Sequence, residues 1–253
     1  MTDFPSPDEI RTEELLITII ARLVEGCRLV SCGASSPIPG GGCLLARQQS
    51  GGAMQVNVLG SRLNNLMTNG GVELFDWAAQ GRLDAFFLGG GQIDGQANIN
   101  LVGVGDYPQA KIRWPGSFGS AYLYFLVPRV ILFREEHTRR VFVDKVDFIS
   151  TPGTSDPEVY RTGGPYALVS PLCQMGFDKV RKKFHLVSVH PGHTVEEVLD
   201  NTGFAIDVPD HVPETVLPDR ATLNIIRQQI SLEIAETYPR FAAKVFPEAV
   251  NAA

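Results

Sequence analysis

Two short stretches of this 253-residue chain hold the residue types that ligand chemistry needs. The first is "LGGGQIDGQANIN", Leu88–Asn100, which follows the apolar run Ala85–Leu88. Glycines after a strand can cradle a phosphate on their backbone N–H groups. A dinucleotide fingerprint, however, needs spaced glycines that open a helix, and an acid about 20 residues further on. Here the residues after Gly91 are polar and lack helical periodicity, and no glycine precedes Lys-Ser or Lys-Thr. Gly89–Gly91 therefore read as a tight turn in which only glycine fits. The second stretch is "HPGH", His190 and His193; with His137 and His185 it lacks the spacing of a zinc site and reads as loop or capping residues. Ser170 and Ser188 fall within predicted strands without a nucleophile elbow, and Asp106, Asp144, Asp147 and Asp156 are scattered. Cys27, Cys32, Cys43 and Cys173 show neither metal nor redox spacing and read as buried, reduced thiols.

The elements that would carry these residues follow from periodicity. Glu13–Glu25 has helical apolar spacing, with Thr12 as the expected N-cap and Gly26 as the stop. A strand is expected at Arg28–Cys32, then a loop through "GASSPIPGGG" and a short helix at Cys43–Gln48. Met54–Leu59 alternates like a strand, Val72–Gly81 reads as a helix, and Ala85–Leu88 as a buried strand. Alternating strands and helices imply right-handed crossovers and a parallel sheet, whose carboxyl edge is the usual ligand site. Further on, "RVILFREEHTRRVFVDKVDFIS" reads as an antiparallel hairpin turning at Glu135–Arg139. "YALVSPLCQMGFDKVRKKFHLVSV" repeats that pattern around Gly176–Lys183. Thr194 and Glu197 form a capping box for a helix that stops near Gly203. The fold class is α/β: an open, mainly parallel sheet with flanking helices and an antiparallel hairpin portion. Residues 1–215 read as one domain and 216–253 as a helical tail that packs on it or on a partner.

Composition narrows the function. Apolar residues make up 44% and charged residues 20%, ordinary for a globular core, and the net charge of −6 argues against nucleic-acid binding. The opening "MTDFPSPDEIR" is unlike a secretory signal, and no apolar run approaches a membrane span, so a cytoplasmic protein with no membrane contact is expected.

Four segments, in order, resemble the B subunits of family I CoA-transferases of the glutaconate CoA-transferase type. They are "GGGQIDGQANIN", "GDYPQAKIRWPGSFGSA", "RRVFVDKVDFISTPG" and "VEEVLDNTGFAIDV". The resemblance covers roughly residues 12 to 210. It implies an A-subunit partner, an A2B2 assembly, an acyl-CoA substrate, and no separate cofactor or metal, CoA being part of the substrate. The family's transferases use a B-subunit glutamate as nucleophile in a "V-E-S-G"-like context. Aligned through Pro39, Ala46 and Arg47, that position is Leu59, and no acid lies between Gly51 and Gly71. Where family members have a "GSGGA"-like loop, this chain has "GSFGSA", with Phe118 at a glycine position. Both departures are similar to a branch of the family that hydrolyses a carbon–carbon bond in CoA thioesters from steroid rings. There the base belongs to the A subunit, so no catalytic residue is expected in this chain. Leu59, Gln92, Ser117, Phe118 and Gly119 are then expected to face substrate, with Phe118 either shaping the pocket or packing in the core. Gln92 either bonds a substrate carbonyl or ties down its own loop, and Asp106 and Arg113 brace the neighbouring loop. A true CoA-transferase B subunit, or a scaffold without substrate contact, is the alternative.

Overall fold

The computed structural model describes residues 5–250; the opening tetrapeptide, where the sequence shows no secretory pattern, lies outside it. Two compact units divide the chain: one from the described parts of 1–74, 83–87 and 216–253, the other from 75–82 and 88–215.

In the first unit, α1 (Thr12–Leu23) is buried on nearly every side from Glu14 to Ala21, which explains its apolar residues on more than one face. Its N-cap is Arg11 and not Thr12: the Glu14 carboxylate accepts the Arg11 N–H at 2.9 Å, so the backbone cap forms one residue earlier. β1 (Leu29–Cys32) precedes α2 (Pro37–Gln49). The expected loop through "GASSPIPGGG" is thus largely helix. Proline at N1 is pre-shaped for a helix start. Gly41 and Gly42 sit in the α1 contact, where a Cβ on Gly42 would overlap the Ile20 side chain and lie 3.0 Å from the Ile17 carbonyl. Helix packing this close outweighs the poor helix propensity of glycine. β2 (Gln55–Val58) and β3 (Ala85–Leu88) both lie parallel to β1, with Leu29 opposite Gln55 and Val30 opposite Ala85. α3 (Gly71–Ala79) passes from the first unit into the second at Phe75.

In the second unit, β4 (Gln92–Ile93) and β5 (Ile99–Asn100) make one small antiparallel ladder, and β6 (Gly103–Val104) and β7 (Ile112–Arg113) another. α4 (Ser120–Leu126) leads into β8 (Arg129–Phe133), which pairs in parallel with β9 (Pro165–Val169). β10 (Cys173–Asp178) and β11 (Lys183–Val189) complete an antiparallel run from β9. Among the seven longer strands, three of the five pairings within the units are parallel: the mixed α/β class with its antiparallel portion. The hairpin expected across residues 129–150 is absent. Its second half instead lies beside β4, where the Ile93 N–H donates to Val141 O and the Val143 N–H to Ile93 O. Thr194 caps α5 (Val195–Asp200), accepting the Glu197 N–H at 3.1 Å.

The C-terminal helices belong to the first unit. α6 (Arg220–Ile225) runs through a π-helical turn at Ile226–Ile230 into α7 (Ser231–Thr237), then α8 (Pro239–Val245) and α9 (Pro247–Val250). No helix among the described residues is long and apolar enough to cross a membrane.

Candidate functional site

The glycine run is explained by close approach. None of Gly89, Gly90 and Gly91 has a positive φ, so the tight-turn reading is corrected. A Cβ on Gly89 would stand 2.9 Å from Phe133 O, one on Gly90 would overlap Ile99, and one on Gly91 would fall inside the indole ring of Trp114. The residues beyond form the β4–β5 hairpin, whose turn is organised by Asp94: its Oδ1 accepts the N–H groups of Gln96 and Asn98, both at 3.0 Å. The buried Ala97 in this turn takes φ +60°. Its carbonyl accepts the Tyr124 hydroxyl at 3.0 Å.

Gln92 is 6% exposed. Its Oε1 accepts from Asn100 Nδ2 at 2.7 Å and from the Asp147 N–H at 3.0 Å. Its carbonyl oxygen therefore ties down the surrounding loops. The side-chain nitrogen makes no hydrogen bond among the described residues. Beside Gln92 lies a cavity of about 700 Å³ walled by Leu101, Val104, Trp114, Val141 and Val143, with Arg134 and Arg140 also on its lining. Arg140 is held by Glu136, Nη2 to Oε2 at 2.6 Å. Arg134 follows the last residue of β8, and its Nε is buried without a hydrogen-bond partner.

The other expected residues distribute around this cavity unevenly. Arg113 stacks over Tyr107, its guanidinium carbon 5.5 Å from the ring centroid, so it braces the β6–β7 loop through a cation–π contact. Asp106 makes no side-chain hydrogen bond among the described residues; the carboxylate holding that loop is Asp147, whose Oδ2 accepts the Gly105 N–H at 2.8 Å. Ser117, Phe118 and Gly119 do not line the cavity with Gln92. Ser117 O accepts the Ser120 hydroxyl at 2.6 Å, and the Gly119 backbone presses against the Phe75 ring. Phe118 is 84% exposed at φ +42°, its ring 5.4 Å from Phe75, so it does not pack in the core.

Leu59 lies in the first unit, directly after β2, with its N–H on Cys32 O at 3.1 Å. The loop beyond it is fastened by α7: Glu236 accepts the Ser61 hydroxyl at 2.6 Å and the Arg62 N–H at 2.8 Å. These donors hold the Glu236 carboxyl below its ordinary pKa, the Ser61 bond foremost.

His137, His190, Ser170 and Ser188 serve a buried network. His190 Nε2 donates to Ser170 O at 2.9 Å, so its Nδ1 accepts from Thr215 at 2.8 Å. The Thr202 hydroxyl donates to Val198 O, so His137 Nε2 donates to Thr202 and its Nδ1 accepts from Ser170 at 2.7 Å. Both rings are therefore neutral with filled nitrogens. Burial pushes each pKa down to about 4. His193 pairs with Glu197. Among the described residues no three His, Cys, Asp or Glu side chains converge as a metal site, and the four cysteines are buried.

Residues 12–201 match the family model described as coenzyme A transferase. The chain belongs to the coenzyme A transferase family. It is 35% identical over 157 residues to the B subunit of 3-oxoadipate CoA-transferase from Pseudomonas knackmussii, a match covering 60% of each chain. It is also 32% identical over 160 residues to the cholesterol ring-cleaving hydrolase IpdB subunit of Rhodococcus jostii, covering 62% of each. The matches thus span about three fifths of these relatives' length. The structure of IpdAB from Rhodococcus jostii RHA1 superimposes with a TM-score of 0.78 at 26% identity, over 87% of this chain and 94% of that one.

Sequence reasoning missed two residues of this coenzyme A transferase family member. Arg134 was visible only as a charge ending the buried strand RVILF, and Glu236 lies 175 positions from Ser61. At Phe118 the backbone keeps a glycine-like conformation under a bulky side chain, which costs roughly 1–2 kcal/mol for an L-residue. Phe118→Gly is therefore expected to leave stability unchanged or raise it by up to about 1 kcal/mol, glycine's greater unfolded-state entropy offsetting part of the relief. Urea unfolding checks this; a loss above about 1 kcal/mol would show that the Phe75 contact dominates.

Proposed function

We propose that this chain is the B subunit of a two-subunit enzyme acting on CoA thioesters, and that its reaction is hydrolysis of a carbon–carbon bond in a cyclic keto acyl-CoA derived from steroid rings. The observation that carries this reading is the strand end at Leu59. A side chain that cannot be acylated stands there, no acid occurs between Gly51 and Gly71, and Glu236, which bonds to this loop, is committed to Ser61 and Arg62. A chain without its own nucleophile suits a reaction in which water attacks. A base on the A subunit would activate that water, whose oxygen bonds to the ring ketone carbon. The bond from that carbon to the α-carbon of the thioester breaks, and its electron pair forms the thioester enolate, which then takes a proton. This chain would supply the apolar cavity and the Gln92 side-chain N–H donors. Likeness to the hydrolase subunit from Rhodococcus jostii supports the reading.

The second reading, a CoA-transferase B subunit, draws on the 35% identity to the 3-oxoadipate enzyme. A transferase passes through a glutamyl-CoA thioester that borohydride reduces. The complex purified with its A subunit, incubated with acyl-CoA and borohydride, is expected to leave every glutamate of this chain unmodified by mass spectrometry. A reduced glutamate on this chain would establish the transferase instead. Ring-opened CoA products from the same complex would support the hydrolase.

A further inference from the structure

We propose that Asn100 is a positioning residue: it sets which end of the Gln92 amide faces the cavity, so that a ligand there meets a nitrogen and not an oxygen. This deepens the acyl-CoA reading and rests on it. A primary amide has two ends of nearly equal size and opposite polarity, and a side chain free to flip offers a ligand either one. Gln92 and Asn100 stand directly opposite each other across the β4–β5 ladder, with their side chains on the same face. Asn100 is fully buried and anchored on backbone groups of fixed polarity. Its Oδ1 accepts the N–H groups of Val102 at 3.0 Å and Gly103 at 3.3 Å, and its Nδ2 donates to Gly103 O at 2.7 Å. The turn thereby points Nδ2 at Gln92, whose Oε1 accepts it at 2.7 Å.

Two donors then converge on one oxygen, because the Asp147 N–H, 3.0 Å from Oε1, can only donate. With the amide reversed, the Gln92 nitrogen would face both donors with no acceptor between them, a buried mismatch that folded proteins avoid. The nitrogen makes no hydrogen bond among the described residues, yet it is not sealed in: their fully buried side-chain polar atom without a partner is Arg134 Nε. Gln92 Nε2 is therefore open to the cavity that Gln92 lines. The group it suits is an acceptor, the oxygen of a carbonyl, and more strongly that oxygen in an enolate. The backbone of one turn, relayed through Asn100, decides the polarity of this part of the cavity wall.

The probe is acetoacetyl-CoA, a β-keto thioester whose enolate absorbs in the ultraviolet, bound to the full-length chain in complex with its A subunit. The pH midpoint of enolate formation is read on the bound ligand, so turnover is not needed. The native complex is expected to show a midpoint about one unit below that of Gln92→Ala, the tenfold that one hydrogen bond to a charged acceptor warrants. Arg134 and Arg140 line the cavity in both, so their field cancels from the comparison. Asn100→Ser keeps an acceptor for the turn N–H groups but cannot reach Gln92, and is expected to lose at least half of that shift. In the Gln92→Ala background it is expected to change nothing further. A midpoint unmoved by Asn100→Ser would overturn the proposal, and so would an equal rise in the Gln92→Ala background, which a merely structural role would give. Should circular dichroism show Asn100→Ser unfolded, Gln92→Glu decides. Its inner oxygen keeps both donors, so its outer oxygen is expected to raise the midpoint above that of Gln92→Ala, and a midpoint at or below that value would overturn the proposal. Failure of acetoacetyl-CoA to bind would overturn the acyl-CoA reading and the proposal with it, whereas binding without dependence on Asn100 overturns the proposal alone.

Discussion

Acidification from pH 7 to pH 4 is expected to remove on the order of 5 kcal/mol of stability, most of it through two histidines in the second unit. His137 and His190 have folded-state pKa values pushed down to about 4 by burial, against 6.5 for the free side chain. Well above pH 6.5 both rings are neutral in either state and contribute little pH dependence. Between pH 6.5 and 4 the unfolded chain takes up protons that the folded chain refuses, so stability falls as pH falls. Each pKa unit corresponds to about 1.4 kcal/mol; because each folded ring is itself half protonated at pH 4, the two rings together lose roughly 5 to 6 kcal/mol and not the full ~7. The hydrogen bonds explain why the folded state resists. Each ring accepts at Nδ1 from a hydroxyl and donates at Nε2, so a second ring proton must displace the hydroxyl proton already there. Urea midpoints measured from pH 7.5 to 4.5 check this. His137→Gln with His190→Gln should flatten the slope across that window even if it lowers stability at pH 7.5. An unchanged slope would exclude these rings as its source.

The second large effect lies in the first unit. Arg227→Ala is expected to cost roughly 3 kcal/mol, because it strips a buried carboxylate of its main cation. Glu14 is fully buried within α1, and Arg227 grips it with Nε on Oε1 at 2.6 Å and Nη2 on Oε2 at 2.9 Å. The Arg11 N–H and a longer contact from Arg11 Nη1 remain after the substitution, which keeps the loss below that of a bare buried charge. Glu14→Gln in the Arg227→Ala background should restore part of the loss, since it removes the charge that has lost its partner. A cost for Arg227→Ala below about 0.5 kcal/mol, or no recovery in the double variant, would show that the pair contributes little.

These two features mark the limits of what the residue pattern discloses. Strands such as Ala85–Leu88 and the helix at Val72–Gly81 were legible because burial on a short apolar run or a helical face leaves a local periodic trace. Gly41 and Gly42 misled: locally they are helix breakers, and only a neighbouring helix too near to admit a Cβ makes them helical. Val141–Val143 alternates as a strand should, but its partner is β4 and not β8, which local sequence cannot name. For the site, Gln92 stood out beside its glycines, and family resemblance singled out Leu59 and Phe118. Arg134 and Glu236 did not stand out, since their meaning depends on what surrounds them and not on their spacing.

The first unit is assembled from both ends of the chain with residues 83–87 between them. During synthesis α1 emerges early, yet Arg227, the main partner of Glu14, comes 213 residues later. Until then the Glu14 carboxylate has only Arg11 to hold it, without the main partner of its final buried place in α1. The second unit, whose last residue is Thr215, is complete in the emerging chain before the first can close. A chain whose first 215 residues have cleared the ribosome therefore holds every residue of the second unit, its cavity lining and both buried histidines included, while its first helix still lacks its main partner.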